Sequence, residues 1–166
     1  GLDIEVARQA EAMAQATGLP APICNVLARR AVRPEEATDF LAPTLKNLLP
    51  DPRSLRDMEK ATTRILAAVK ARQKIAIFAD YDVDGGTSAA LIIDWLRHFD
   101  QTATLYIPDR IDEGYGPNDE AMAMLAAAHD LIICVDCGTL SHGPIEAAKG
   151  ADGVVLDPHL AGETLP

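Results

Sequence analysis

The chain has 166 residues, a formal net charge of −10 and a sequence pI of about 4.7. This balance argues against a broad basic nucleic-acid surface, while a carboxylate cluster that gathers divalent cations stays compatible with a nucleic-acid substrate. Apolar runs such as 131–135 are strand-sized, and no basic stretch followed by an apolar one opens the sequence, so a cytoplasmic protein without a membrane partner is expected.

The first third reads as helical. Residues 2–17 carry a partial apolar face through Ile4, Val6, Ala10 and Met13, and Gly18 with Pro20 stops it. Further helices are expected at 22–30 and at 34–41, the latter opened by Pro34, Glu35 and Glu36. The proline-rich stretch 45–52 reads as a connection with its leucines tucked in, and a longer helix follows over 54–72.

From Lys74 the pattern alternates. Strands are expected at 74–79, 102–107, 130–135 and 153–156, with helices at 87–98, 117–128 and 144–148. Strand and helix alternating at this spacing predicts an α/β fold, a parallel sheet with crossover helices, since parallel neighbours need a long return path. The expected organisation is a helical amino-terminal extension, 1–72, packed on an α/β subdomain, 73–166.

Each strand's carboxyl end then faces one edge of the sheet. That edge collects Asp80, Asp82 and Asp84, then the loop 109–116, then Asp136, then Asp157 with His159. If the backbone is still extended after residue 79, alternate spacing turns Asp80, Asp82 and Asp84 the same way, where their repulsion calls for a cation. Gly85 and Gly86 are read as freeing the backbone to turn into the next helix. Carboxylates with one imidazole suit manganese or magnesium rather than zinc, and two such ions can clamp a phosphoryl group for hydrolysis. Cys134 and Cys137 have C-x-x-C spacing but no second pair, so with Cys24 they are expected to be reduced, partly buried thiols. His98, His129 and His142 read as structural or surface residues.

The stretches Ile77-Phe-Ala-Asp-Tyr-Asp-Val-Asp-Gly-Gly-Thr-Ser88, Tyr106-Ile-Pro-Asp-Arg-Ile-Asp-Glu-Gly-Tyr-Gly116, Val135-Asp-Cys-Gly138 and Asp157-Pro-His159 resemble the first motifs of the DHH phosphoesterase superfamily. Within it they are most similar to the bacterial branch of single-strand-specific 5′-to-3′ DNA exonucleases, and residues 41–50 resemble that branch's amino terminus. The resemblance implies a DHH-type, Rossmann-like fold and a two-metal Mn2+ or Mg2+ nuclease. Such an enzyme hydrolyses phosphodiesters at the 5′ end of single-stranded DNA in repair and recombination, with repair proteins such as single-strand-binding protein as partners. It carries Asp80, Asp82, Asp84 and Asp136 over as metal-site carboxylates, Asp157 and His159 as the catalytic third motif with His159 on the metal, and Arg110 and Tyr115 as contacts to DNA or supports of their loop.

Two departures qualify it. The family's third motif is Asp-His-His, and here Pro158 replaces the first histidine, which should weaken or abolish one metal position. The sequence also ends at Pro166, ahead of the family's fourth motif, so an amino-terminal fragment inactive in isolation is expected. The alternatives are an oligoribonucleotide or cyclic-dinucleotide phosphodiesterase, or a pyrophosphatase, of the same superfamily, and a non-catalytic interaction domain.

Overall fold

The computed structural model describes residues 4–166, in two compact units, Gly1–Leu55 and Arg56–Pro166. In the first unit the expected opening helix is α1, Ile4–Thr17; its expected start at residues 2 and 3 lies outside the described residues. Gly18 ends it at φ 70°, where a side chain would be strained, with its N–H donating to the Ala14 carbonyl at 2.9 Å. Helix α2, Ala21–Arg29, packs on α1 through a core of Ala10, Met13, Cys24, Leu27 and Ala28, joined by Val32 and Ala37.

The expected helix 34–41 splits into a 3-10 turn, Pro34–Glu36, and α3, Ala37–Leu41. The stretch expected to be a plain connection contains a short helix α4, Leu45–Leu48, whose first turn is capped by the Thr44 hydroxyl accepting from the Asn47 N–H. Its leucines are not tucked in: Leu45 is 80% exposed and Leu49 70%. The local helix turns them outward, a choice that apolarity alone does not fix.

The second unit begins before the sheet. Helix α5, Met58–Lys70, places Ala68 and Val69 in the same core as Ile75 and Ile77, within the unit Arg56–Pro166. Arg64 ties α5 to the sheet by donating to Asp152 Oδ2 at 2.6 Å and to Gln73 Oε1 at 2.9 Å.

The sheet is the expected parallel α/β arrangement. Its strands are β1 (Ile75–Ala79), β2 (Ala103–Tyr106), β3 (Leu131–Val135) and β4 (Asp152–Leu156), in the order β2-β1-β3-β4. Helices α6 (Val83–Arg97), α7 (Asp119–Ala128) and α8 (His142–Ala147) make the crossovers. Strand alternation sorts the central strands between two cores. Ile75, Ile77, Leu131 and Ile133 pack with Val69, Ala89 and Leu96, whereas Ala76, Phe78, Ile132 and Cys134 pack with Met122 and Leu125. All five residues of β1 and of β3 are buried, the continuous apolar pattern expected of strands covered on both faces.

His129 links α7 to β2 through Nδ1 to the Leu125 carbonyl and Nε2 to the Thr104 hydroxyl, and His98 bonds the Asp94 carbonyl, both structural as expected. Among the described residues no helix is long and apolar enough to cross a membrane.

Candidate metal centre

The strand order reverses direction between β1 and β3, and it is outside the carboxyl ends of strands at such a point that α/β sheets take ligands. Register decides what stands there. Ala79 pairs with Val135 and Val135 with Leu156, so the next residue on each strand forms a row: Asp80, Asp136, Asp157. Local sequence brings each to a strand end, and the pairing brings the strand ends together.

The three carboxylates after β1 do not point one way, as continued extension would have required. Asp80 is fully buried, whereas Asp82 and Asp84 are exposed, because the strand stops at Ala79 and the helix begins at Val83, four residues before the expected start. Asp82 is the helix cap, its Oδ1 accepting from the Gly85 N–H at 2.9 Å. Gly85 and Gly86 therefore lie inside the first turn of α6 and turn nothing. Gly85 is required for another reason: a Cβ there would sit 2.4 Å from the Asp80 carbonyl oxygen.

Asp136 adopts a left-handed backbone at φ 59°, which aspartate tolerates better than most side chains. Its N–H donates to the Leu156 carbonyl at 2.9 Å and its own carbonyl accepts from the Tyr115 hydroxyl at 3.3 Å, so a bond on each side holds the turn. Burial, then the negative charge of Asp82, pushes the Asp136 carboxyl above its usual range. Asp82 is held below its own, chiefly by the Gly85 N–H, and the two carboxyls are within hydrogen-bonding reach of each other. Asp84 adds its charge to the field at Asp136.

Asp157 is committed to its neighbours. Its Oδ2 accepts from the Thr139 N–H at 2.9 Å, and its Oδ1 from the His159 N–H at 3.1 Å and from His159 Nδ1 at 2.7 Å. Burial pushes the Asp157 carboxyl up, but these bonds together outweigh it and hold the group below its usual value. The Asp157 bond raises His159 in turn. Ligand atoms of Asp136, Asp157 and His159 all lie within 4.8 Å of one another.

The loop after β2 is organised by Glu113. One carboxylate oxygen accepts from the Tyr106 hydroxyl and from Asn118 Nδ2, the other from the Asp109 N–H, while Asp109 Oδ1 accepts from the Ile111 and Asp112 N–H groups. The loop so built carries Tyr115 to Asp136. The Tyr115 ring stands edge-to-face with Tyr81 at 6.1 Å and with His159 at 6.5 Å, and Arg110 lies over the Tyr81 ring at 5.3 Å. Among the described residues Arg110 has no ion pair with Asp109 or Asp112. A separate groove at the start of α7, lined by Asp112, Glu113, Asp119 and Glu120, has the wrong charge for a phosphodiester.

The donor set fits a hard divalent cation. Both Asp80 oxygens are buried without a hydrogen-bond partner, which for an ionised carboxylate is costly unless a cation answers it. The grouped ligand atoms of Asp136, Asp157 and His159 are carboxylate oxygens and one imidazole, the set that suits Mg2+ or Mn2+. The thiols do not compete. Cys24, Cys134 and Cys137 are free and buried, and burial pushes Cys134 up to about 12 and Cys137 higher still.

Three participants escape a sequence reading based on strand-end acids. Tyr81 sits inside the acidic motif itself, and its neighbours Asp80 and Asp82 draw attention from it. Glu113 looks like one more loop acid. Thr139 contributes a main-chain N–H, for which residue type gives no signal.

Comparison with known proteins agrees with this architecture. The chain is 33% identical over 147 residues to the single-stranded-DNA-specific exonuclease RecJ of Bacillus subtilis, covering 87% of this chain and 19% of that protein. It is 38% identical over 152 residues to RecJ of Dickeya dadantii, covering 89% and 26%. It thus spans about a fifth to a quarter of the length of these curated relatives. Among solved structures, an exonuclease RecJ bound to manganese superposes with a TM-score of 0.63 at 31% identity, over 68% of this chain and 30% of that one. RecJ from Thermus thermophilus in complex with Mn2+ superposes at 0.72 over 96% of this chain and 22% of that one; its 24% identity speaks to fold alone. The model of the DHH family's N-terminal domain matches residues 74–166, the whole sheet with its row of strand-end aspartates, and the chain belongs to the DHH family.

Proposed function

We propose that this chain forms the metal-bearing part of a divalent-cation-dependent phosphodiesterase that removes nucleotides from the 5′ end of single-stranded DNA. The observation that carries the reading is Asp80, a fully buried carboxylate with no partner, in register with Asp136 at the switch point of the sheet. Its relatives' single-strand specificity and the manganese in the RecJ structures support the same reading.

When bound there, a divalent cation would supply water activation and charge stabilisation at a phosphoryl oxygen. The chain's own residues divide the remaining work. Asp80, Asp82, Asp84 and Asp136 hold the cation, Mn2+ or Mg2+. Asp157 fixes the His159 ring through Nδ1 and leaves Nε2 as its ligand atom. Arg110, stacked on Tyr81 and without an ion pair among the described residues, is placed to pair with a DNA phosphate, and the exposed face of Tyr115 offers a base a stacking surface that paired bases would not reach. Such an activity belongs to DNA repair and recombination in the cytoplasm, beside single-strand-binding protein. By itself the chain leaves DNA intact, because Pro158 withholds an imidazole from the site and the matched stretch makes up only 19% and 26% of the two relatives' length.

Fluorescence anisotropy with a 5′-phosphorylated single-stranded DNA tests the substrate. Binding is expected to require Mn2+, to fall on Arg110→Ala, and to exceed binding of the same sequence as RNA or duplex. Binding indifferent to Mn2+ and to Arg110 overturns the substrate reading. Manganese-dependent digestion of that DNA, lost on Asp82→Ala, would overturn the inactivity.

A further inference from the structure

We infer that Tyr81 is the positioning residue for Arg110: its ring holds the guanidinium by one face and leaves the N–H donors unspent for a phosphate of single-stranded DNA. This deepens the substrate reading above and rests on it.

The loop after β2 fixes the backbone of Arg110 but not its side chain. The Asp109 carbonyl accepts from the Glu113 N–H at 2.9 Å and from the Gly114 N–H at 3.1 Å, which closes a turn over 109–114. The acids of that turn are already engaged. Asp109 Oδ1 accepts from the Ile111 and Asp112 N–H groups, and both Glu113 oxygens are taken by Tyr106, Asn118 and Asp109. Among the described residues the Arg110 side chain has no hydrogen bond and no ion pair, and its Cζ lies over the Tyr81 ring, 5.3 Å from the centroid. That is inside the roughly 6 Å over which an aromatic face attracts a cation. The arginine stem has several rotatable bonds, so without the ring the guanidinium would sample many positions, the acidic strand ends among them.

Its neighbours in the chain place Tyr81 for this. Asp80 is buried at the end of β1 and Asp82 caps α6, so the residue between them is pinned on both sides. The half-buried Tyr81 ring meets the Tyr115 ring edge-to-face at 6.1 Å, and Tyr115 donates in turn to the Asp136 carbonyl at 3.3 Å. The platform under Arg110 is thus braced from the end of β3 as well as from β1. No hydrogen bond ties the Tyr81 hydroxyl among the described residues, so the ring carries the role. A ring also suits a phosphate grip better than a carboxylate would. A carboxylate occupies the planar N–H fork and cancels its charge, whereas an aromatic face takes the flat side of the guanidinium and leaves both fork and charge for the ligand.

A double-mutant cycle tests this, read by fluorescence anisotropy of a 5′-phosphorylated single-stranded DNA in Mn2+. Tyr81→Leu is expected to weaken binding about two- to fivefold, the worth of an exposed contact between a cation and a ring. Tyr81→Phe keeps the ring and is expected to bind like the unaltered chain, while Arg110→Lys does not replace the stacked fork. On an Arg110→Ala background Tyr81→Leu is expected to change nothing further, whereas a general effect on fold or metal would persist there. Equal losses on both backgrounds, or a Tyr81→Leu chain that binds as tightly as the unaltered one, overturns the positioning role. NMR of the unaltered chain reads the stack without any substitution: the Tyr81 ring current is expected to move the Arg110 side-chain protons upfield, and DNA to perturb the Arg110 Nε–H without removing that shift. Unshifted Arg110 protons overturn the stack whatever the variants do. An Arg110→Ala chain that binds DNA as tightly as the unaltered one refutes the underlying substrate reading and the role of Tyr81 with it, an outcome distinct from the others.

Discussion

Adjacent glycines in the first turn of α6 should respond to alanine with opposite sign. At Gly85 a Cβ would lie 2.4 Å from the Asp80 carbonyl oxygen, 2.9 Å from its nitrogen and 3.0 Å from its carbonyl carbon, while at Gly86 nothing lies within 4 Å. All three neighbours of the first are backbone, so relief requires the end of β1 and the start of α6 to move apart. Forced shifts of this kind cost about 1–3 kcal/mol, and a contact this short belongs at the upper end. Replacing a helical glycine by alanine returns about 1 kcal/mol at either position. Gly85→Ala is therefore expected to destabilise by about 2 kcal/mol and Gly86→Ala to stabilise by about 1 kcal/mol. For a chain of this size the two melting temperatures should differ by roughly 6–12 °C. Urea and thermal unfolding with a chelator present, so that metal plays no part, measure both. A Gly85→Ala chain as stable as its Gly86→Ala counterpart would refute the close approach of helix to strand.

Asp80→Asn is expected to raise stability by about 1–3 kcal/mol in chelator, since it replaces a buried carboxyl with no partner by a side chain that cannot ionise, and to abolish the Mn2+-induced rise in melting temperature. In the unaltered chain that rise corresponds to about 2.7 kcal/mol at a hundredfold excess over Kd. Loss of stability on this substitution in chelator would show that the carboxylate is satisfied in some other way. The loop after β2 makes a prediction in pH. The hydrogen bond to Glu113, then burial, raises Tyr106 to about 12, and burial, then Asp80, raises Tyr115 to about 12. Absorbance at 295 nm should show both ionising well above the ordinary tyrosine range of about 10, with Glu113→Gln returning Tyr106 toward it. Glu113 is correspondingly depressed, first by Tyr106. Its contribution is present above the unfolded value of about 4.3 and is lost as pH falls through the folded value, while that of Tyr106 is lost as pH rises from about 10 toward 12. A Tyr106 that ionises near 10 in the unaltered chain would mean the loop is not built on Glu113.

Much of this molecule is legible in the chain alone. The short apolar runs ending in acids at Asp80, Asp136 and Asp157, separated by helix-length segments, determine a parallel sheet whose functional edge is acidic, because strand-sized runs and the long return path between them are local properties of the chain. The family motifs are equally local. Tertiary structure decided which acid did what. Asp80, Asp82 and Asp84 look equivalent in sequence, yet one is sealed between strands without a partner, one caps a helix and one lies exposed in its first turn, since the start of α6 is set by packing against β1. Packing likewise gave Gly85 a steric duty that Gly86 lacks, and aimed Tyr115 from a distant loop at the Asp136 carbonyl. Such facts depend on which strand ends are brought side by side, and that is fixed by register across the whole sheet rather than by any stretch of residues within it.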